Sequence, residues 1–174
     1  MLFQLVWLST IMGVANDVPW LGAPVLALFV VAHYFLSPTA KADYLAAAIA
    51  MPIGFFIETA YIRSGLLDYK FASLGSELAP IWIVWLWANL ALTMNNCLGW
   101  LHGRVALAAG AGIVAGPLTY LAGARLGAAE LGTEIAPAFA AFAVSWAVLV
   151  PVLLVIASRT RTWTAQHPIA GTPN

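Results

Sequence analysis

Six apolar segments, separated by short polar stretches, make up most of this 174-residue sequence. Charged residues account for only 8% of the chain and hydrophobic residues for 63%, whereas a water-soluble domain carries roughly a quarter charged residues. Because so little polar surface is available, the composition indicates an integral membrane protein. Inside a bilayer the segments must be helices, since no other open segment satisfies its own backbone hydrogen bonds. The expected fold is all-α, a polytopic transmembrane bundle of about six spans at 2–15, 21–36, 44–62, 81–101, 105–122 and 136–157.

The transmembrane domain is expected over residues 1–157, and residues 158–174 are expected to form a loose polar tail. The first two segments are short and could instead form one re-entrant pair, although two true spans are preferred. The first segment lacks the cationic start of a signal peptide, so it is interpreted as a retained span. Six spans place both termini on one side, and the basic residues favour a cytoplasmic position for the termini in a bacterial inner membrane. That side carries Lys41, Arg104, Arg159 and Arg161, against Arg63, Lys70 and Arg125 on the other.

The charge balance and the cysteine count argue against several classes of function. The net charge is zero, so no basic field indicates a nucleic-acid partner. The single cysteine, Cys97, cannot form an internal disulfide or a thiolate metal cluster. The three histidines have no ligand spacing, and nucleotide-binding fingerprints are absent from the sequence. Neither a metal nor another cofactor is therefore predicted.

A glutamate near the end of the third segment is the first candidate for chemistry. In the stretch FFIETAYIRSG, Glu58 lies about one turn inside the segment, with Gly54 one turn below it and Tyr61 about one turn above. A carboxylate in lipid costs several kcal/mol, so it should face the bundle interior, find a partner or stay protonated. It could be a structural tie, for example to Arg63, or a working acid in a cavity.

The fourth segment carries a stripe of aromatic and amide residues. If the whole segment is one helix, six positions fall within about 60° of one another on the helical wheel. Trp85 and Asn89 would then lie at the depth of Glu58, whereas Asn95 would point elsewhere. The alternative is interhelical hydrogen bonding with tryptophans as interfacial anchors. The stripe is Trp82, Trp85, Asn89, Thr93, Asn96 and Trp100.

The fifth segment has small residues and a tyrosine on one face. Gly112 and Gly116 have the small-xxx-small spacing that lets helix backbones approach closely, within the chain or between two copies of it. Tyr120 and Arg125 would lie near the same membrane face as Glu58, and Arg125 could pair with Glu58 or bind an anionic headgroup. In the polar loop beyond the third segment, Asp68 and Tyr69 could close over a pocket, although an interpretation as solvated loop residues is preferred.

The order of these motifs resembles one family. PWLG at 19–22, Glu58 followed by SGLL at 64–67, TMNNCLGWL at 93–101 and GPLTYLAGARLGA at 116–128 are similar to the bacterial membrane proteins catalogued as domain of unknown function 2878. The resemblance implies a small polytopic inner-membrane protein and no agreed activity. Glu58, Gly65 and Pro80–Trp82 also resemble, over a short pattern, membrane carotenoid hydratases and cyclases.

Two hypotheses about function follow. In the first, the protein is an enzyme that modifies a lipid or isoprenoid within the bilayer, and Glu58 protonates an alkene or epoxide. Aromatic faces would then stabilise the resulting cation. In the second, it is a non-catalytic accessory subunit, scaffold or lipid-binding module; a transporter is a third, less favoured option. The candidate catalytic residues are Glu58, Asn89 and Tyr61, and the candidate substrate-binding residues are Trp82, Trp85, Tyr120, Arg125 and Arg63.

Overall fold

The computed structural model describes residues 2–167, and over that range the chain is almost entirely helical. Six α-helices follow one another, with a short antiparallel pair of strands inserted between them. The helices are α1 (Leu2–Ala15), α2 (Gly22–Leu36), α3 (Ala40–Arg63), α4 (Ile81–Ala91), α5 (Val105–Arg125) and α6 (Ile135–Gln166), and the strands are β1 (Leu67–Tyr69) and β2 (Ala129–Leu131). The predicted all-α class is confirmed.

Three of the helices, α3, α5 and α6, are long and apolar enough to cross a membrane. The helices α1, α2 and α4 are apolar but shorter, with 14, 15 and 11 residues. At 1.5 Å per residue they are about 21, 22 and 16 Å long, less than the ~30 Å of a bilayer's hydrocarbon core. The long helices pack on one another through α5–α6 and α3–α6, while α4 lies on α3 and α1 lies on α2.

The predicted fourth span is wrong in its second half, because α4 ends at Ala91 and not at residue 101. Residues 92–98 form turns, and Gly99–Leu101 forms a single 3-10 turn. Polar side chains in this part form hydrogen bonds that do not belong to the regular backbone pattern of an α-helix. Thr93 Oγ1 donates to the Leu90 carbonyl, and Asn95 Nδ2 donates to Asp43. Such hydrogen bonds compete with helix formation. The predicted stripe from Trp82 to Trp100 therefore does not lie on one continuous helix.

The sixth helix is longer than expected, because it continues to Gln166 through the polar stretch that was predicted to be a loose tail. Threonine side chains in this part donate back to carbonyls one turn earlier, as Thr164 Oγ1 does to Thr160. The prediction of a loose segment is therefore wrong for residues 158–166. The remainder of the predicted tail, from residue 168 on, lies outside the described residues.

The strand pair was not predicted. Leu67, Asp68 and Tyr69 of β1 pair with Leu131, Glu130 and Ala129 of β2 in antiparallel register. Both segments follow the ends of helices, α3 and α5, so the pair joins these two ends. A Cβ on Gly132 would lie 2.1 Å from the Gly65 carbonyl oxygen, so glycine is required where the two segments meet.

The glycine face of α5 packs inside the chain. A Cβ on Gly112 would lie 2.1 Å from the backbone oxygen of Trp146, and a Cβ on Gly116 would lie 2.6 Å from the Trp146 ring. Both glycines are buried. The close approach expected of Gly112 and Gly116 is therefore made with α6 of the same chain, and they are not exposed for an oligomeric contact.

A second buried carboxylate, Asp43, lies near the start of α3 and is 0% exposed. It bonds side chains from α2, from the turn before α3 and from the segment after α4. The distances to its two oxygens are 2.8 Å from His33 Nε2, 3.3 Å from Ser37 Oγ, 2.7 Å from Thr39 Oγ1, 2.7 Å from Asn95 Nδ2 and 3.1 Å from Asn96 Nδ2. This Asp43 cluster explains why Asn95, expected to point elsewhere, is buried.

Replacing Asp43 with alanine should destabilise the fold. Five hydrogen bonds, at the value of about 0.6 kcal/mol each that is typical of side-chain bonds between helices, amount to about 3 kcal/mol. Unfolding of the purified protein in mixed micelles by a denaturing detergent measures the difference. Asp68→Ala, at an exposed aspartate in β1, is the matched control and should stay within about 0.5 kcal/mol of the wild type. Equal stability of the two variants would show that the Asp43 cluster contributes nothing.

Candidate active site

Glu58 is buried, with 1% of its surface exposed, and three neutral donors hold its carboxyl group. Tyr69 Oη donates to Oε2 at 2.6 Å, while Tyr120 Oη and Trp87 Nε1 donate to Oε1 at 2.8 and 3.0 Å. The donors come from β1, α5 and α4, so the carboxyl group of α3 connects four elements. Each oxygen is satisfied without a cation, which keeps the group buried although it has no salt bridge within residues 2–167.

Side chains on the side away from Glu58 fix the position of Tyr120. Trp146 Nε1 donates to Tyr120 Oη at 3.2 Å, and the Phe142 ring lies against the Tyr120 ring with centroids 4.2 Å apart. Tyr61 packs edge-on to Tyr120 at 5.6 Å, and its hydroxyl bonds Ser145. The position of the Tyr120 hydroxyl is thus fixed by side chains of α3 and α6.

Trp87 reaches Glu58 because α3 has a glycine one turn before the glutamate. A Cβ at Gly54 would lie 2.1–2.4 Å from three atoms of the Trp87 indole. Real Cβ atoms do not approach that closely, so any other residue at position 54 displaces the ring. The space beside Gly54 is therefore filled by the Trp87 ring.

Tyr69 is the donor from the strand pair. Its ring is buried and lies edge-on to the Trp82 ring at 5.1 Å, while Trp82 Nε1 donates to the Lys70 carbonyl at 3.0 Å. Burial, and then the neighbouring Glu58 charge, raise the pKa of Tyr69 well above its usual value. The hydroxyl consequently stays protonated at neutral pH and remains a donor.

Glu58 lies on the wall of a cavity of about 510 Å³. The cavity lies between α1, α4 and α5 and is closed at one end by the strand pair and the residues beside it, such as Ala128 and Ala129. Its volume falls within the ~300–1,000 Å³ that is typical of sites for one small molecule. Aromatic residues contribute much of its wall, namely Phe3, Trp7, Tyr69, Trp82, Trp87, Tyr120 and Trp146.

The structure brings together three of the candidate residues. Glu58, Tyr120 and Trp82 all line the cavity. Tyr61 does not bond Glu58 directly but packs behind Tyr120. Tyr69, interpreted from the sequence as a solvated loop residue, is instead buried and bonded to Glu58, so that interpretation is wrong.

Trp85 and Asn89 face away from the position expected for them. Trp85 Nε1 donates to Thr10 Oγ1 at 3.3 Å, and Asn89 Nδ2 donates to the Phe3 carbonyl at 3.1 Å, so both bond α1. Neither residue bonds Glu58 or lines its cavity, although both were expected at the depth of Glu58. Trp87 lies about 200° around α4 from Trp85 and reaches the carboxyl group in their stead.

The two candidate arginines lie outside the cavity wall. Arg125 is exposed at the end of α5, and no ion pair joins it to Glu58 within residues 2–167. Arg63 is also exposed, with its Nε 4.0 Å from Glu77 Oε2. The alternatives in which Glu58 pairs with Arg63 or Arg125 are therefore not realised, because neutral donors occupy both carboxyl oxygens.

Tyr69, Trp87 and Trp146 are the site residues that sequence reasoning missed. Trp146 lies in the middle of an apolar helix, where an interfacial anchor is not expected, and this position indicates an inward role. The apolar–polar–apolar order of Leu67, Asp68 and Tyr69 is typical of a half-buried strand. Among residues 2–167, no group of three or more His, Cys, Asp and Glu side chains is placed to hold a metal ion.

Comparison with known proteins gives a family and no activity. The family described as "Protein of unknown function (DUF2878)" matches residues 1–152. The chain belongs to this family. The match extends from α1 into α6, so every element that lines the cavity is included. Among curated proteins and solved structures, none matches the DUF2878 chain.

Adding one methyl group at Gly54 should displace Trp87 and remove its hydrogen bond to Glu58. Gly54→Ala is expected to shift the tryptophan emission spectrum and to destabilise the fold by about 1–3 kcal/mol, as overpacking does. Gly110→Ala in α5 is the matched control, because a Cβ there meets nothing within 4 Å. Identical emission and stability for the two variants would contradict the role given to Gly54.

Proposed function

We propose that this DUF2878 protein is an integral membrane enzyme that transfers a proton to a lipid or isoprenoid substrate within the bilayer, with Glu58 as the acid. The observation that carries the proposal is the position of Glu58, a buried carboxyl group on the wall of a mainly apolar cavity. Intramembrane ionisable groups are costly, and those that face a cavity commonly mark a functional site.

The three donors have a role in the proposed reaction. A protonated Glu58 gives its proton to one carbon of a substrate double bond, whose electron pair forms the new C–H bond. Glu58 is left as a carboxylate, and Tyr69, Tyr120 and Trp87 are already placed to stabilise that charge. The other carbon becomes a cation, and loss of a neighbouring proton to Glu58 restores the acid and completes an isomerisation or cyclisation.

The aromatic wall supports the cationic stage of this reaction. Trp82, Trp87 and Trp146 line the same cavity as Glu58. A cation over an indole face in a dry site gains about 2 kcal/mol. Asn89 and Trp85, which bond α1, have supporting roles in packing and not in the chemistry.

The second candidate function is a non-catalytic module that binds lipid or docks other membrane proteins. A scaffold that docks through the glycine stripe should expose it, whereas Gly112 and Gly116 are buried against Trp146. A filled interior would also favour the scaffold, whereas a cavity lies beside Glu58. Both observations support the enzyme over the scaffold.

The proposed setting is the bacterial inner membrane. In that arrangement α3, α5 and α6 cross the bilayer, and α4 crosses together with the turns that follow it. The helices α1 and α2 complete a six-span topology in a locally thinner bilayer. Both termini then lie in the cytoplasm, and the strand pair lies at the outer face.

Replacing Glu58 with glutamine should abolish the reaction while keeping the size of the side chain. Lipid extracts of the host carrying the variant are compared by mass spectrometry with those of the wild type and of a deletion strain. Loss of a general acid typically costs at least about 100-fold in rate, so the product should fall to the level of the deletion strain. Glu77→Gln, at an exposed loop glutamate, is the control and should retain wild-type lipids.

Membrane content and thermal stability of the variants are measured in parallel. If folded Glu58→Gln protein leaves every lipid species unchanged relative to wild type, the catalytic proposal is overturned. The non-catalytic module is then the better explanation of the cavity.

A further inference from the structure

The polar atoms of the cavity are gathered at one end. Glu58, Tyr69 and Tyr120 lie next to the strand pair, whereas Leu86 and Leu90 of α4 continue the wall as an apolar surface. From Trp82 to Leu90 the cavity follows α4 for eight residues, or about 12 Å. The shape and polarity match an amphiphile with a small polar end and one hydrocarbon chain.

Two other polar residues, Thr119 and Gln4, line the cavity, but neither adds a buried polar group to its apolar part. Thr119 Oγ1 donates to the Ala115 carbonyl of its own helix at 2.8 Å, so its donor is already used. Gln4 is exposed at the rim. Neither residue adds a second buried polar centre.

The charge of the wall restricts the polar end of the ligand. Glu58 is an acid, and among the described residues the wall contains no lysine, arginine or histidine. A phosphate or carboxylate bound beside Glu58 would be buried without a counter-ion, at a cost of several kcal/mol. An uncharged hydroxyl can instead donate to or accept from the carboxyl and phenol groups already present.

The cavity opens on the side of the helix bundle. Leu118 of α5 is 56% exposed, and Ala115 of α5 and Gln4 of α1 are exposed as well, although all three line the cavity. Leu118 lies seven residues, or about 10 Å, before the end of α5. The opening between α1 and α5 is consequently on a helix flank, where acyl chains surround a helix that crosses the membrane.

We infer that the cavity takes a single-chain, uncharged lipid, such as a long-chain or prenyl alcohol, from the bilayer through the opening between α1 and α5. Its hydroxyl end binds Glu58 and Tyr69, and its chain lies along α4. Lipids that carry a phosphate or a carboxylate on the same chain are excluded. This inference rests on the proposed function, since a prenyl alcohol bound in this way also brings the double bond next to its hydroxyl group within reach of Glu58.

The test is binding to the full-length protein in nanodiscs of unlabelled lipid. The probes are a dibrominated long-chain alcohol and the fatty acid with the same dibrominated chain, added at a pH where the acid is ionised. Bromine quenches nearby tryptophans, and Trp7, Trp82, Trp87 and Trp146 line the cavity. Saturable quenching by the alcohol, at least about tenfold tighter than by the acid, is expected; a tenfold ratio corresponds to about 1.4 kcal/mol.

A pair of α5 variants tests the opening. Ala115→Phe narrows it and should weaken binding of the alcohol about tenfold, because the phenyl ring takes up space in the opening that the alcohol occupies. Ala111→Phe, at an equally placed exposed alanine one turn away and outside the cavity wall, should bind as the wild type does. Equal quenching by acid and alcohol, or equal binding by the two variants, overturns the inference.

Failure of the inference and failure of the proposed function give different results. Selective, saturable binding of the alcohol together with unchanged lipids in the Glu58→Gln strain supports the ligand class and refutes the enzyme. Loss of a lipid product in that strain together with equal binding of acid and alcohol supports the enzyme and refutes the ligand class.

Discussion

The buried carboxyl group of Glu58 is the constraint on which the rest of the structure depends. Leaving it unpaired within the bundle would cost several kcal/mol, so the chain must bring donors to it. They come from three different elements, α4, α5 and β1. Three features position these donors around Glu58. They are the strand pair, the glycine at position 54 and the packing of Trp146 on α5.

The two buried acids of α3 differ in their surroundings. Asp43 and Glu58 are fifteen residues, or about 22 Å, apart along the helix. Asp43 is bonded by five polar side chains and is fully enclosed, which is the pattern of a structural tie. Glu58 has fewer donors and adjoins a cavity, which is the pattern of a group that meets a ligand. Both acids are buried, so burial alone does not distinguish a structural role from a ligand-binding role. The cavity beside Glu58 makes that distinction.

The sequence predicted the helices and the inward position of Glu58 well, because both follow from the cost of polar groups in an apolar chain. It placed α1 correctly from Leu2 to Ala15. It failed where tertiary hydrogen bonds decide the local structure. Asp43 draws Asn95 out of the helical ladder, so α4 ends early and the stripe built on its continuation disappears.

The donors to Glu58 could be predicted only in part. Tyr120 was placed near Glu58, as a substrate-binding candidate, because both lie towards the same end of the bundle. The orientation of α4 could not be predicted, because this helix carries tryptophans on several faces. Trp82, Trp85 and Trp87 differ mainly in what surrounds them, and Gly54 selects Trp87 by leaving space for its ring. The pairing of β1 with β2 joins segments more than fifty residues apart, which no local pattern specifies.

That long separation has a consequence for how the protein is made. The third helix leaves the ribosome before α4, α5 and β2 have emerged, since synthesis runs from the N-terminus. At that moment both of its acids lack donors that are encoded later in the chain. In the membrane setting proposed above, α3 would stay in a hydrated environment until its partners emerge, and the helices of the bundle would enter the lipid as a group.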